Sequence, residues 1–296
     1  MLYAYPKLSK WDFSYFRFLG SGLGNLLFPW ARSILASQKY GLTRISPTWS
    51  QIKVGPILRR EADLRFYFDL FDKNPHEISG IIKLFYLLKY SSVTEDYLVN
   101  LKSGIYPHRK ETKIVVFEGL KDYFNSMISK HAFIYDELLK ITRNEHKKGL
   151  NYDFRKSISV HIRLGDFIGG HATPMQWYID TLNKLRAAVG QELPIYIFSD
   201  GTNEEIMPVL RLPHTSRLTF GSSLADLLAL SKAHHLIGSA GSTFSQWASF
   251  LGRMPVIWPK GGLTQHLYDD KPQLEIECAQ DEKMPEDFIS ICKLNA

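Results

Sequence analysis

In the run His161-Ile162-Arg163-Leu164-Gly165-Asp166, an imidazole, a guanidinium and a carboxylate lie within six residues at the end of an apolar segment. Such a set suits anion binding and proton transfer. Alternation along a strand puts His161 and Arg163 on one face and Ile162 on the other. A guanidinium placed there can grip a diphosphate through two or more charge-assisted hydrogen bonds. Two blander roles fit the same spacing: Arg163 paired with a carboxylate such as Asp166, and His161 as a satisfied, partly buried ring. Asp166, and His171 beyond Gly169-Gly170, are the candidate bases for taking a proton from an attacking hydroxyl.

Two more polar clusters follow apolar runs, Ser199-Asp200-Gly201 and Ser239-Ala240-Gly241-Ser242-Thr243. Small hydroxyl residues and glycines at a helix start make an anion site, because the first helical amides lack internal acceptors and carry partial positive charge. Asp226 follows the helix-start signal Ser222-Ser223. It either complements the positive end of that helix or accepts both donors of a guanine edge, a pairing that adenine does not satisfy. The loop Gly20 to Asn25 is a poor dinucleotide fingerprint, since counting from Gly22 puts Leu27 where the third glycine belongs. No Asp-x-Asp pair stands at a strand end to hold a metal.

These residues need strands and helices to carry them. The sequence predicts a strand over Phe13 to Leu19, then the glycine turn and a helix through Lys39 ended by Gly41. A helix-like run, Ile78 to Tyr90, and a short strand, Lys113 to Phe117, follow. From Ser157 strands and helices alternate: strands start at Ser157, Pro194, Arg217, His235 and Pro255, and helices at Pro174, Asn203, Leu224 and Thr243. That pattern implies a doubly wound parallel sheet of about five strands, which binds ligands beyond its strands' carboxyl ends. The boundary falls in the polar stretch Arg143 to Asp153, giving domains 1–150 and 151–296.

Composition narrows the class. The chain has 296 residues, 45% hydrophobic and 22% charged, which suits two globular domains without long disorder. Its only cysteines, Cys278 and Cys292, can form neither a zinc site nor a disulfide framework. Met1 to Lys10 lacks a signal-peptide pattern and no apolar stretch is long enough to span a bilayer. The expectation is a cytoplasmic protein in a bacterial setting. A net charge of +6 suits anionic partners such as nucleotides or acidic headgroups. Peripheral contact with the inner membrane is therefore expected. Nucleic acid is not, because scattered charge is its only support.

Four of these motifs, in order, resemble glycosyltransferase family 11, the α-1,2-fucosyltransferases, and more distantly the α-1,6- and protein O-fucosyltransferases. Gly22-Leu23-Gly24-Asn25-Leu26-Leu27-Phe28 looks like the family's glycine loop, and His161 to Asp166 matches its histidine-x-arginine-x-glycine-aspartate signature. Phe198-Ser199-Asp200 resembles its next strand end, and Ser242 to Ala248 its serine-threonine-phenylalanine helix. The chain departs from the pattern at Leu164, Gly201 and Gln246, where a second arginine, a second aspartate and a tryptophan are common.

The resemblance implies an α/β fold of GT-B type, two Rossmann-like domains facing across a cleft, with the donor held by the second. It implies an inverting transfer of L-fucose from GDP-L-fucose to a carbohydrate hydroxyl on an oligosaccharide or lipid-linked glycan, without metal or other cofactor. Arg163 would hold the β-phosphate. His161 and Asp226 would lie on the guanine side, with Ser199 and Asp200 nearby and Ser242 and Thr243 on the diphosphate. Gly22, Gly24 and Asn25 would close on the diphosphate from the first domain. A different nucleotide sugar, or nucleotide-sugar binding without turnover, are the rival readings.

Overall fold

The computed structural model describes residues 1–52, 65–102, 111–164, 172–190 and 192–294. The first core strand is β1 (Leu2–Lys7), not the expected Phe13 to Leu19. Within that run Ser14 and Leu19 adopt positive φ, so only Arg17–Phe18 (β3) stays extended, antiparallel to β2 (Trp11–Asp12). A proline within β1 disguises it. Pro6 is tolerated because β1 pairs with β4 (Thr43–Arg44) only at Tyr3 and Ala4, so on that side no ladder amide is needed at position 6.

Helix α1 (Leu23–Tyr40) follows the glycine turn as expected and ends at Gly41, whose φ of 64° is the left-handed cap that glycine adopts without strain. Beyond β5 (Gln51–Ile52) come α2 (Gly80–Lys89), β6 (Ser91–Thr94), α3 (Asp96–Lys102) and β7 (Lys113–Glu118). The order β4-β1-β7-β6, all parallel, makes the sheet of the first unit, and β2-β3-β5 a small second sheet.

The chain divides into two compact units. The first comprises the described residues of 1–127 with Lys140–Arg143, the second Ile128–Leu139 and the described residues from Asn144 onwards. Ile128–Leu139 and residues 144–150, assigned from sequence to the first domain, thus pack with the second. Tyr135, on α4 (His131–Ile141), meets Ser231 hydroxyl to hydroxyl at 3.3 Å.

The second unit runs β8 (Ile158–Ile162), α5 (Met175–Val189), β9 (Ile195–Ser199), α6 (Asn203–Leu210), β10 (Thr215–Arg217), α7 (Ser223–Leu230), β11 (His235–Ile237), α8 (Thr243–Gly252), β12 (Val256–Pro259), β13 (Glu275–Cys278) and α9 (Glu286–Leu294). Among the described residues its sheet has six strands, where about five were expected, all parallel, in the order β10-β9-β8-β11-β12-β13. Numbered within the unit this is 3-2-1-4-5-6, the doubly wound order. β8 is buried along its whole length, as a central strand covered on both faces should be. Among the described residues, no helix is long and apolar enough to cross a membrane.

Candidate functional site

The strand order reverses between β8 and β11, so their connections leave in opposite directions and open a crevice at the carboxyl ends. Arg163 follows β8 directly, and Ser239 to Thr243 link β11 to α8. The switch point therefore lies where the sequence concentrates its cation, hydroxyls and glycines.

Arg163 is held from two sides. Its backbone amide donates to Ser239 Oγ at 2.9 Å, and its guanidinium donates to Asp200 Oδ2 at 2.5 Å. Asp200, at the end of β9, also accepts the Leu164 amide through Oδ1 at 2.8 Å. Arg163 thus takes an aspartate partner from the neighbouring strand. Both side chains are about one-fifth exposed, so the pair is reachable without being freely solvated. Ser199 reinforces the join: its hydroxyl donates to the Ile162 carbonyl at 2.7 Å and accepts the Gly201 amide at 3.0 Å.

Leu164 and Gly201, two of the three departures from the family pattern, face one another. A Cβ at Gly201 would sit 2.6 Å from Leu164 Cδ1. The missing arginine and aspartate are therefore replaced together by one close apolar contact.

His161, two residues earlier on the strand, is packed into the core. It is buried, stacks on Phe244 with centroids 4.8 Å apart, and has Nδ1 2.6 Å from Ser245 Oγ. Burial pushes its pKa down to about 4; Arg163 pushes the same way and Asp200 opposes. At neutral pH the ring is uncharged and braces α8 against β8.

Ser239, quoted in the sequence motif but given no role, is the hub. Its hydroxyl donates to the His161 carbonyl at 2.7 Å and accepts the Arg163 amide. Its one proton being committed, the Tyr178 hydroxyl at 2.8 Å must be the donor in their shared bond. Burial raises Tyr178 to about 12, which keeps that donor protonated. Thr173 closes the crevice by accepting the Ala240 amide through Oγ1 at 3.0 Å. Nothing local in the sequence marks Tyr178 or Thr173, because both act across the sheet.

Ser242 is the N-cap of α8, its hydroxyl accepting the Ser245 amide at 3.4 Å, and half-buried Thr243 opens the helix. The approach to this turn is tight. Gly238, just after β11, lies against the buried Trp258 ring, and a Cβ there would come within 2.5 Å of Cε3. Gly238→Ala should lower stability by about 1–3 kcal/mol, the usual cost of overpacking. An unchanged melting temperature would show that Trp258 can shift away.

Asp226, in the first turn of α7, does not cap that helix; Ser222 does, accepting the Ala225 amide at 3.2 Å. Its carboxylate instead gathers the preceding loop, accepting the Phe220 amide at 2.5 Å and the Thr219 hydroxyl at 3.1 Å. Asp166 and His171 lie outside the described residues. In the first unit, Gly22 is the N-cap of α1, Gly24 is buried within it and Asn25 is half-buried. The Leu23 amide, among the first helical donors, is taken by the Tyr67 hydroxyl at 3.1 Å. That unit also holds a cavity of about 210 Å³ whose lining includes Trp30, Trp49, Tyr67, Asn74 and Arg143.

The model of glycosyl transferase family 11 matches residues 97–257, more than half of the chain and all of the switch-point residues. This chain belongs to glycosyl transferase family 11. Among solved structures, this family 11 chain is similar to NodZ alpha-1,6-fucosyltransferase co-crystallised with GDP, at 13% identity and a TM-score of 0.50, over 87% of this chain and 94% of that one. It is likewise similar to fucosyltransferase NodZ from Bradyrhizobium, at 13% identity and a TM-score of 0.50, over 88% and 97%. A mutant of Arabidopsis thaliana FUT1 in complex with GDP matches at 15% identity and a TM-score of 0.46, over 89% and 74%. No curated protein matches significantly. At these identities the structural likeness speaks for the fold alone, which is α/β of GT-B type.

Proposed function

We propose that this chain transfers L-fucose from GDP-L-fucose to a carbohydrate hydroxyl, α-1,2 to galactose, with inversion, in the synthesis of a surface glycan such as an O-antigen. The observation that carries this reading is the Arg163 guanidinium, fixed by Asp200 at the switch point beside the start of α8. The acceptor oxygen attacks the anomeric carbon from the side opposite GDP. The bond from that carbon to the phosphate oxygen breaks, and its electron pair goes to the departing diphosphate. A fixed cation at the β-phosphate therefore lowers the transition state more than the ground state.

Ser242, Thr243 and the first amides of α8 complete the anion site. His161 serves by holding α8 in place, and Asp226 with its loop reads guanine. Ser199 and Asp200 set the position of Arg163. Gly22, Gly24 and Asn25 remain assigned to the diphosphate, and Asp166 or His171 to proton removal, on the family resemblance. The 210 Å³ cavity of the first unit is assigned to one ring of the acceptor, being smaller than the ~300–1,000 Å³ that encloses a drug-sized ligand.

No metal is needed in this scheme, since Arg163 and helix-end amides supply the positive charge. Full-length protein with GDP-fucose and a panel of galactosides in excess EDTA should give a product heavier by one fucose, with an α-1,2 linkage by fragmentation. Turnover of another nucleotide sugar in place of GDP-fucose would overturn the donor assignment. Loss of activity with EDTA, restored by added Mg²⁺ or Mn²⁺, would overturn metal independence.

A further inference from the structure

Helix α2 is apolar on both faces: Tyr86 and Leu87 pack against the core of the first unit, and a second apolar row faces outward. Its one fully buried side chain is Lys83, at 0% exposure, while Ile81, Ile82, Phe85 and Leu88, the last 80% exposed, point outward. Their spacing puts these four on one face of the helix. Lys83 is held inward by Asp12 at 3.2 Å and by Thr48, and Asp12 also accepts the Tyr5 hydroxyl. Burial pushes Asp12 up, but Lys83, Thr48 and Tyr5 outweigh it and hold the carboxyl below its usual range, while burial pushes the Lys83 ammonium below its own against the pull of Asp12. An ion pair at this depth bears a desolvation penalty.

The hairpin of β2 and β3 extends the same surface. Trp11, Phe13, Tyr15, Phe16 and Phe18 are all exposed, and the rings of Phe13, Phe16 and Phe18 cluster with centroids 5.4–6.0 Å apart. Hairpin and helix form one piece: Ser14 Oγ donates to the Gly80 carbonyl at 2.7 Å, beside the Tyr15 ring. Among the described residues, the second unit exposes one large hydrophobic side chain, Tyr152. The apolar surface is thus a local feature of the first unit.

Within the two segments themselves the exposed charge has one sign, and the nearby acids Asp72 and Glu77 lie in the cavity beside Tyr15 and Gly80. No acidic residue occurs between Ile78 and Thr94, and the one acid of the hairpin, Asp12, is buried against Lys83. The exposed charges here are Lys89 on the helix and Lys10, one residue before the hairpin. Outward aliphatic side chains, exposed Trp, Tyr and Phe rings and a lysine rim are the composition of a surface that enters the headgroup region of an anionic bilayer.

We propose that α2 and the aromatic hairpin form a membrane-docking face that inserts into the surface of an anionic phospholipid bilayer. This face would locate the protein at a bilayer, and Ser14, Tyr15 and Gly80 within it also line the cavity assigned to the acceptor.

The test is co-sedimentation of the full-length protein with vesicles of phosphatidylglycerol and phosphatidylethanolamine, compared with phosphatidylcholine. The anionic vesicles should pellet the protein in low salt and release part of it at high salt. Phe85→Ser with Leu88→Ser should weaken partition by at least ~100-fold, about tenfold for each apolar side chain withdrawn. The melting temperature should hold, because both positions are exposed. Lys10→Glu with Lys89→Glu should abolish the preference for anionic lipid while leaving the fold intact. Protein that stays in the supernatant with every vesicle, or binding that the serine substitutions leave unchanged, would overturn the proposal. So would a dimer in solution that the serine substitutions split, since a second copy would then cover the face.

Discussion

Arg163→Ala is expected to lower turnover by about 100-fold or more, the scale lost when one preorganised charge-stabilising donor is removed. The fold should survive, because Asp200 keeps the Leu164 amide and Ser239 keeps the Arg163 backbone amide, neither of which needs the guanidinium. Arg163→Lys should recover little: a point charge cannot answer Asp200 and two phosphate oxygens with one planar fork. Asp200→Asn separates positioning from charge. It keeps the cation but weakens the pair that aims it, so turnover should fall less than in Arg163→Ala. Single-turnover rates for the three variants, with melting temperatures as controls, decide the matter, and near wild-type turnover in Arg163→Ala would sink the leaving-group role.

The arrangement around Arg163 was only partly legible in the sequence. Arg163 stood out because it follows an apolar run that reads as a buried strand, and that strand is β8. Asp200 was visible as a residue, but its grip on Arg163 was not: the two are 37 positions apart and meet only because β8 and β9 pair side by side. The Ser239 hub has the same character, with partners on β8 and α5 that no local spacing reveals.

The alternation of the second unit could be read because its strands are short segments rich in β-branched and aromatic residues between helix-start signals, even though Ser159 and His161 interrupt β8. β13 escaped because it carries two glutamates. One of them, Glu275, is buried at 4% exposure and accepts the Leu267 amide and the Trp258 indole N–H. A satisfied carboxylate can occupy a core position, but in sequence it looks like surface. β1 escaped for the opposite reason, since a proline that reads as a strand breaker stands where one side of the ladder has already ended.

The second large effect is expected at Asp226, where the structure sharpens the question of what the carboxylate does. Its two oxygens gather Thr219 and Phe220 into a loop ahead of α7. If the same carboxylate takes both donors of a guanine edge, Asp226→Asn sets an amide donor against a base donor, costing about 1–3 kcal/mol. Affinity for GDP should then fall ~5- to ~150-fold at tenfold per 1.4 kcal/mol, while ADP, which lacks that donor pair, should change little. The loop should largely hold in this variant. The remaining carboxamide oxygen can still accept the Phe220 amide, and the Thr219 hydroxyl can turn to accept from the new amide. Asp226→Ala is the contrasting variant, since it leaves the Phe220 amide without its acceptor and should lower stability by about 1–3 kcal/mol whatever the role in base choice. Calorimetric affinities for GDP and ADP, measured on wild type and both variants beside their melting curves, separate the two effects. A GDP-to-ADP ratio that Asp226→Asn leaves unchanged would mean that Asp226 only shapes the loop, and selectivity would then be sought in the Thr219 to Gly221 backbone that it holds.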